Sequence, residues 1–238
     1  MLVRSAIALV LITFAAGAEP VLIPDSEREN WRAVGRVNVG GFKSKSLCSG
    51  VLISPTEVLT AAHCAADIET GIAHPPYKVR FVAAWHKGDH AGTSAAKSVR
   101  IHPEYAQRSG VDRVPYDLAL ITLKEPISGV KPAPVNLSSE PFTEGPVRML
   151  GYRVDRQHAL TDYQGCNAYR YRNQLLSVDC AVVEGTSGAP VFGKRDGVWE
   201  VIGIISSRLD NRGRNKAIAP LVETIKTDVL QAAKTSNP

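Results

Sequence analysis

The sequence lacks several features that would place it in a common protein class. It has only four cysteines, with no Cys-x-x-Cys pair and no His-x-x-x-His pair near a cysteine, so a zinc site built on the cysteines has no support. Lysine and arginine exceed the acidic residues by 28 to 23, but they are scattered, and no basic run is long enough to indicate a nucleic-acid-binding patch. The nearest approach, residues 169–172, reads YRYR and fits a solvated strand or loop. After residue 16 no apolar segment is long enough to cross a bilayer. These absences argue against a zinc protein, a nucleic-acid-binding protein and a membrane-anchored mature chain.

The N-terminus has the pattern of an export signal. A charged start with Arg4 precedes the apolar run 6–16, which is too short to span a membrane comfortably. Residues 16–18 read AGA, the small-x-small form of a signal-peptidase site. We therefore expect residues 1–18 to be a cleaved signal peptide, the mature chain to begin at Glu19, and the protein to be secreted or periplasmic.

The four cysteines of an exported chain predict two disulfide bonds. Proximity in the sequence favours pairing Cys48 with Cys64 and Cys166 with Cys180. The sequence alone leaves this connectivity open.

Short apolar or alternating segments separated by turns indicate an all-β architecture. Segment 47–53, for example, reads LCSGVLI, and a Ser-Pro turn separates it from segment 58–62, which reads VLTAA. A length of 238 residues suits one larger all-β unit or two small domains that share an interface. The Pro-rich stretch 126–141 is the best candidate for the boundary between two halves. Residues 19–30, which are polar and contain two prolines, are expected to be an extended or mobile N-terminal extension or a short pro-segment.

The end of the chain predicts one amphipathic helix, over about 220–234. Pro220 suits its first turn, and apolar residues follow at helical spacing. The residues that share the apolar face are Leu221, Val222, Ile225, Val229 and Leu230.

Three side chains suit nucleophilic catalysis. Ser187 lies in a Gly-x-Ser-Gly-x-Pro turn, where small residues let the backbone bend and present an exposed hydroxyl beside free N–H groups. His63 follows an apolar strand and precedes a cysteine, a restricted position that suits a general base. Asp117 lies before the apolar strand 118–123, and a carboxylate at the edge of a core needs a partner such as an imidazolium. Asp112 is a competing carboxylate, but no apolar strand follows it.

In chain order, residues 59–64 read LTAAHC, residues 117–120 read DLAL and residues 185–190 read GTSGAP. This order resembles the trypsin/chymotrypsin-like serine peptidases, over roughly residues 31–234. The stretches CSGVLIS, at 48–54, and GAPVF, at 188–192, are more similar to the bacterial, glutamyl-endopeptidase-like branch than to digestive trypsins.

The resemblance implies a fold of two perpendicular six-stranded β-barrels in a peptidase domain over 31–238. The first barrel would cover about 31–130 and the second about 140–219, with the C-terminal helix after them. The site would lie between the barrels, and the family's disulfide behind the histidine would join Cys48 and Cys64.

The resemblance also implies the chemistry. Ser187 would attack the peptide carbonyl, His63 would carry the proton, and Asp117 would orient the imidazole. The N–H groups of Gly185 and Ser187 would form the oxyanion hole. The expected substrate is a protein or peptide, the expected state is a monomer, and no metal or organic cofactor is needed.

This chain departs from the family at the residues that read the substrate. Thr186 stands where trypsins carry the aspartate that pairs with a newly released N-terminal amine, so that activation switch is not expected. Ala181 stands where trypsins carry the acid that binds Lys or Arg, and Ile205 stands where glutamyl endopeptidases carry a substrate-reading histidine. We therefore expect an uncharged residue at P1, the substrate position before the scissile bond. The further residues expected beside the substrate are Glu184 at the rim and Ser206, Ser207 and Arg208 along its length.

Two other interpretations remain open. One is a catalytically inactive or latent protein that uses the same fold to bind a partner, and the intact His63, Asp117 and Ser187 argue against it. The second concerns His86, Asp89 and His90, which lie within a few residues of one another. A metal site there is less favoured than a solvated loop.

Overall fold

Strands dominate the part of the chain that the computed structural model describes, which is residues 20–40, 47–137, 142–172, 174–211 and 214–223. The all-β class expected from the sequence is confirmed. The strands are β1 (Val21–Leu22), β2 (Val34–Val39), β3 (Leu47–Ser54), β4 (Glu57–Thr60), β5 (Val79–Ala83), β6 (Gly92–Ile101), β7 (Ala119–Leu123), β8 (Glu144–Gly151), β9 (Thr161–Tyr171), β10 (Leu175–Val178), β11 (Pro190–Arg195), β12 (Val198–Ile204), β13 (Ser207–Asn211) and β14 (Arg214–Pro220).

The helical elements in the described residues are short. One is an α-helical turn, α1, and the others are 3₁₀ turns. Their bounds are Pro103–Ala106 for α1 and Arg28–Trp31, Ala62–Cys64, Pro76–Lys78, Gly110–Tyr116 and Val154–Arg156 for the 3₁₀ turns. None of the helices in this part of the chain is long and apolar enough to cross a membrane.

The first half forms a closed six-stranded barrel, in the order β2-β3-β4-β7-β6-β5. All neighbouring strands are antiparallel. Successive strand residues point to opposite faces, and in β5 the buried residues Val79, Phe81 and Ala83 alternate with more exposed ones. β7 is buried almost throughout, as its continuous apolar sequence predicts.

The second half forms an eight-stranded sheet in the order β12-β11-β8-β9-β10-β14-β13, with β1 paired to β9. An antiparallel bridge between Gly203 in β12 and Leu221, just after β14, brings the first strand of this order back to the sixth. This bridge connects the two ends of a six-stranded arrangement, β12-β11-β8-β9-β10-β14. β13 pairs with β14 and β1 pairs with β9 outside this arrangement. The connector between the halves is anchored to both, because Ala133 N–H donates to Leu52 O and Asn136 N–H donates to Val201 O, at 2.9 Å each.

The segment before β2 packs against the second sheet. Val21 and Leu22 pair with Asp162 and Thr161 of β9, which continues the second sheet. Ile23 and Trp31 are buried, and the Trp31 ring meets the ring of Phe192 edge-on at 5.0 Å between centroids. Residues 21–22 are therefore extended, which is one of the two alternatives expected from the sequence, and the assignment of 19–30 as an extension or a pro-segment stays a prediction.

The start of the predicted C-terminal helix is wrong. Pro220 is the last residue of β14, paired with Leu175 of β10, and Leu221 forms the bridge to Gly203. A proline at a strand end loses no ladder hydrogen bond, so its presence fits this position as well as the first turn of a helix. Residues 224–234, which make up most of the predicted helix, lie outside the described residues.

Candidate active site

The pairing of β4 with β7 brings His63 and Asp117 together. Thr60 pairs with Ala119, so the residues just after β4 and just before β7 lie at the same end of the barrel. His63 Nδ1 lies 2.7 Å from Asp117 Oδ2, and the His63 backbone N–H donates to Asp117 Oδ1 at 2.9 Å. The carboxylate is buried and uses both oxygens on one histidine. This arrangement favours the tautomer with the proton on Nδ1, which leaves Nε2 as a proton acceptor.

Ser206 gives Asp117 a further hydrogen bond. Its Oγ donates to Asp117 Oδ2, although the two residues are 89 positions apart, and its backbone N–H donates to Ile218 O at 3.0 Å. The sequence predicts Ser206 beside the substrate, and its hydroxyl also contacts the carboxylate. The long separation explains why no sequence pattern indicates this contact.

The surroundings of His63 change its proton affinity. Burial alone lowers the pKa of His63, but the hydrogen bond that His63 Nδ1 donates to Asp117 and the negative charge of Asp117 outweigh it, and the pKa is raised above its ordinary value of 6.5. The imidazole is therefore a stronger base than a free histidine, as a group that must accept a hydroxyl proton requires.

The turn that carries Ser187 is held by its own backbone and by the first barrel. Thr186 N–H donates to Val183 O at 3.2 Å, Ala189 N–H donates to Thr186 O at 2.9 Å, and Ser187 O accepts from Ser49 N–H at 2.7 Å. Ser187 is half-buried. Among the hydrogen bonds of the described residues, none joins Ser187 Oγ to His63. In unliganded enzymes this catalytic hydrogen bond is often long and shortens only with substrate.

Gly188, the next residue, must be a glycine. Its φ is +78°, and a Cβ atom there would lie 2.2 Å from Ser49 O and 2.3 Å from Thr60 Oγ1. Its N–H donates to Ile205 O at 2.7 Å. The Gly in the Ser-Gly pair of the motif is therefore explained by the close approach of β3 and β4.

The orientation of the Glu184–Gly185 peptide leaves an amide donor unused. Glu184 O accepts from Val154 N–H at 2.9 Å, and the C=O and N–H of a trans peptide point in opposite directions, so Gly185 N–H points away from that loop. Gly185 has φ +91°, and an added Cβ would lie 3.0 Å from Tyr152 O. In the part of the chain that is described, neither Gly185 N–H nor Ser187 N–H donates to a protein acceptor.

A cleft of about 220 Å³ lies beside this turn. Val182 and Ile205 are buried apolar residues of its lining, while Glu184 and Arg208 are exposed charged ones. Ala181, which the sequence predicts to contact substrate, is exposed and is not among the lining residues. The full lining is Val182, Val183, Glu184, Thr186, Ser187, Ile205, Ser206, Ser207 and Arg208. No buried carboxylate or histidine is among them.

Both disulfides have the local pairing favoured from the sequence. Cys48 is bonded to Cys64, and Cys166 is bonded to Cys180. His63 Nε2 lies 3.7 Å from Cys64 Sγ, but a disulfide sulfur carries no proton and offers no thiolate to a metal.

The other groups considered from the sequence have simpler roles. Asp112 is exposed in the 3₁₀ turn that leads to Asp117, and the carboxylate that contacts His63 is that of Asp117. His86 and Asp89 close a tight hairpin through two backbone hydrogen bonds of 2.8 and 2.9 Å. This geometry agrees with the interpretation of 86–90 as a loop.

Comparison with protein families gives one match that covers most of the chain. Residues 48–204 match the trypsin-like peptidase domain. Two solved structures share the fold. A thermostable serine protease, AL20, from an extremophilic microorganism has a TM-score of 0.72, is 18% identical, and covers 88% of this chain and all of its own. A Glu endopeptidase has a TM-score of 0.74, is 16% identical, and covers 91% of this chain and 97% of its own.

The curated relatives are much longer than the region that matches this chain. The peroxisomal leader peptide-processing protease of Mus musculus is 27% identical over 191 residues, which are 78% of this chain and 30% of that protein. Serine protease 23 of Rattus norvegicus is 29% identical over 188 residues, 67% of this chain and 48% of that protein. The chain therefore spans less than half the length of these two relatives.

Proposed function

This chain belongs to the trypsin-like peptidase family, and from that premise we propose that it is an exported serine endopeptidase. Its substrates would be proteins or peptides, cleaved through an acyl-enzyme on Ser187. One observation carries the proposal. Ser206 lines the same cleft as Ser187, and its hydroxyl donates to Asp117, which holds His63 at 2.7 Å. The contact through Ser206 supports a placement of the His63–Asp117 pair beside the cleft that Ser187 lines.

The proposed mechanism uses these side chains in the usual order. Ser187 Oγ attacks the carbonyl carbon of the scissile bond while His63 Nε2 accepts its proton. The tetrahedral intermediate then collapses, the C–N bond breaks, and His63 returns the proton to the leaving amine. In the second half of the reaction, His63 deprotonates a water molecule that attacks the ester carbonyl. The bond from the acyl carbon to Ser187 Oγ then breaks, His63 returns the proton to Ser187 Oγ, and the acid is released. Asp117 keeps the imidazole in the required tautomer and stabilises its charged form.

The oxyanion of the intermediate would be bound by Gly185 N–H and Ser187 N–H. These two amides lack protein acceptors among the described residues, which is what a donor pair waiting for substrate requires. In other enzymes the loss of one such donor costs about 3–4 kcal/mol of transition-state stabilisation. Apart from the hydrolytic water, the proposed chemistry needs no metal or organic cofactor.

The cleft supports an uncharged P1 residue. Its buried lining residues Val182 and Ile205 are apolar, and the charges of Glu184 and Arg208 are exposed and of opposite sign. A buried P1 charge would therefore lack a desolvated partner, which is costly. A digest of a peptide library should show cuts mainly after uncharged residues. Cuts concentrated after Lys, Arg or Glu would overturn this part of the proposal.

Active-site labelling tests the proposed activity directly. A fluorophosphonate probe reacts only with an activated serine, so the chain from Glu19 should be labelled and its Ser187→Ala variant should not. Each protein is tested before and after limited proteolysis. Labelling that needs proteolysis would indicate a zymogen, and the new N-terminus would locate the cut.

The alternative is a latent or inactive protein that binds a partner with this fold. The observation that favours it is that, among the described residues, no hydrogen bond joins Ser187 Oγ to His63. Absence of labelling in a folded sample, both before and after proteolysis, would favour this alternative over the peptidase.

Export and assembly complete the proposal. The signal-like residues 1–18 and the two disulfides support a secreted or periplasmic location, because disulfides persist in oxidising compartments. The monomeric state is a prediction from the resemblance. N-terminal sequencing of the exported protein should begin at Glu19. Light scattering should give the mass of a single chain.

A further inference from the structure

Ser49, a buried residue of β3 in the first barrel, contacts both segments of the second half that surround the oxyanion amides. Its side-chain Oγ donates to Gly185 O at 3.0 Å and accepts from Tyr152 N–H at 2.8 Å. Its backbone N–H donates to Ser187 O at 2.7 Å. Ser49 is fully buried. The sequence motifs give this serine no role, and the catalytic steps proposed above do not use it.

These bonds fix the peptides on both sides of Gly185. The peptide before it is set by the bond from Val154 N–H to Glu184 O, and the peptide after it by the bond from Ser49 Oγ to Gly185 O. The same hydroxyl holds Tyr152 N–H, so it ties the 151–154 loop to the catalytic turn. With both carbonyls held, the directions of Gly185 N–H and of the following amides are set before substrate arrives.

The opposite side of the turn is held by another uncharged pair. Thr186 is fully buried, and its Oγ1 lies 3.1 Å from the hydroxyl of Tyr163 in β9. Thr186 is the residue that stands where trypsins use an aspartate paired with a released N-terminal amine. Here a pair of hydroxyls occupies the place of that ion pair. The Tyr163 hydroxyl also contacts Arg153, and none of these groups comes from a new chain end.

We propose that Ser49 is a positioning residue for the oxyanion amides and that, with Thr186 and Tyr163, it forms a clamp of uncharged hydroxyls. We call these three residues the hydroxyl clamp. It keeps Gly185 N–H and Ser187 N–H in their acceptor-free orientation without an ion pair from a released N-terminus. This inference rests on the proposed peptidase function, and the experiment below distinguishes a failure of that function from a failure of the clamp.

The test compares Ser49→Ala with Ser177→Ala. Ser177 of β10 is a matched control, since it is a buried strand serine. Its Oγ donates one hydrogen bond, to the hydroxyl of Tyr169 in β9. We would measure kcat and KM on a fluorogenic peptide with uncharged P1, the affinity of a peptide aldehyde with the same sequence, and hydrogen exchange of the segment 183–188.

In Ser49→Ala, kcat and aldehyde affinity should fall by about 10- to 100-fold while KM changes less than about threefold, because only the bound oxyanion uses these amides. Hydrogen exchange of the turn should rise. Ser177→Ala should leave kcat, the aldehyde affinity and the hydrogen exchange of the turn unchanged. Tyr163→Phe removes the hydrogen-bond partner of Thr186 and leaves Ser49 in place. It should also lower kcat, and it serves as the test variant if Ser49→Ala does not fold.

Each outcome has a distinct meaning. Unchanged hydrogen exchange of 183–188 in Ser49→Ala and Tyr163→Phe would overturn the hydroxyl clamp. Raised exchange with equal losses in kcat for the Ser177 control would reduce Ser49 to a general stability role. A parent that cleaves no peptide and binds no aldehyde would overturn the proposed function, while exchange still decides on the clamp. An extra N-terminal tag before Glu19 should leave kcat unchanged, and activity that appears only when the tag is removed would contradict independence from the N-terminus.

Discussion

At the level of single residues, the pH dependence of activity follows from the surroundings of His63. The reaction needs a neutral imidazole, and Asp117 raises the pKa of His63 above 6.5 despite burial. We therefore expect kcat/KM to rise with pH and to reach half its maximum above about 6.5. Folding stability has the opposite sign. The contribution of His63 is fully present below its unfolded pKa and is lost as pH rises through the folded one.

Substitution of Asp117 gives a sharper form of this prediction. In Asp117→Asn both contributions that raise the pKa of His63 are gone and burial remains, so the pH midpoint of the residual activity should move to lower pH. The kcat near neutral pH should fall by about 10⁴-fold, because the wrong tautomer is favoured. Asp112→Asn, at an exposed site, is the control and should leave both quantities unchanged. Equal effects of the two substitutions would mean that the carboxylate has been misassigned.

Single residues also mark where sequence reasoning stops. The motifs predict His63, Asp117 and Ser187 because each lies at a local landmark, a strand end or a tight turn. The contacts of Ser49 with Gly185 and of Ser206 with Asp117 join residues 136 and 89 positions apart. Such contacts depend on how the two halves pack against each other, and no local sequence pattern predicts that packing.

At the level of elements, the segment before β2 is attached to the second sheet through Arg148. The Arg148 Nε donates to Asp162 Oδ1 at 2.9 Å, and one terminal nitrogen donates to Glu27 Oε2 at 2.7 Å. The guanidinium also lies 4.8 Å from the centre of the Trp31 ring. The side chain of Asp162 is fully buried, whereas that of Glu27 is 39% exposed. These two ion pairs should therefore differ strongly in their effect on stability.

Arg148→Met leaves the Asp162 carboxylate buried without its cation, so the free energy of unfolding should fall by about 3–5 kcal/mol. Glu27→Gln removes a partly exposed partner and should cost about 0–1 kcal/mol. Urea denaturation of both variants measures the difference. Similar small losses in the two would show that the Asp162 carboxylate is solvated or otherwise paired in solution.

Elements with strong periodicity could be predicted from the sequence, and weak or ambiguous ones could not. β3, β4 and β7 follow from apolar runs bounded by turns. β1 has two residues, too few for any period, and forms because the edge of β9 accepts it. Pro220 is compatible with both a helix start and a strand end, and the pairing of β14 with β10 decides for the strand.

At the level of the whole molecule, the two disulfides lie on different sides of the catalytic machinery. Cys48–Cys64 joins β3 to the 3₁₀ turn that carries His63 and closes a separation of 16 residues. Cys166–Cys180 joins β9 to the segment after β10 and closes a separation of 14 residues. Loops of this size predict a similar loss of stability, about 3 kcal/mol, when either bond is removed.

The two bonds should nevertheless differ in their effect on catalysis. The double variant Cys166→Ala/Cys180→Ala should lose about 3 kcal/mol of unfolding free energy and keep its kcat at a temperature where it is folded. Cys48→Ala/Cys64→Ala should lose a similar amount and also lose kcat on the order of 10- to 100-fold, because the turn that positions His63 is released. Denaturation curves and kcat for both variants give the comparison. An equal fall in kcat would mean that the second barrel transmits the loss of its disulfide to the Ser187 turn, since Cys180 lies only seven positions before that serine.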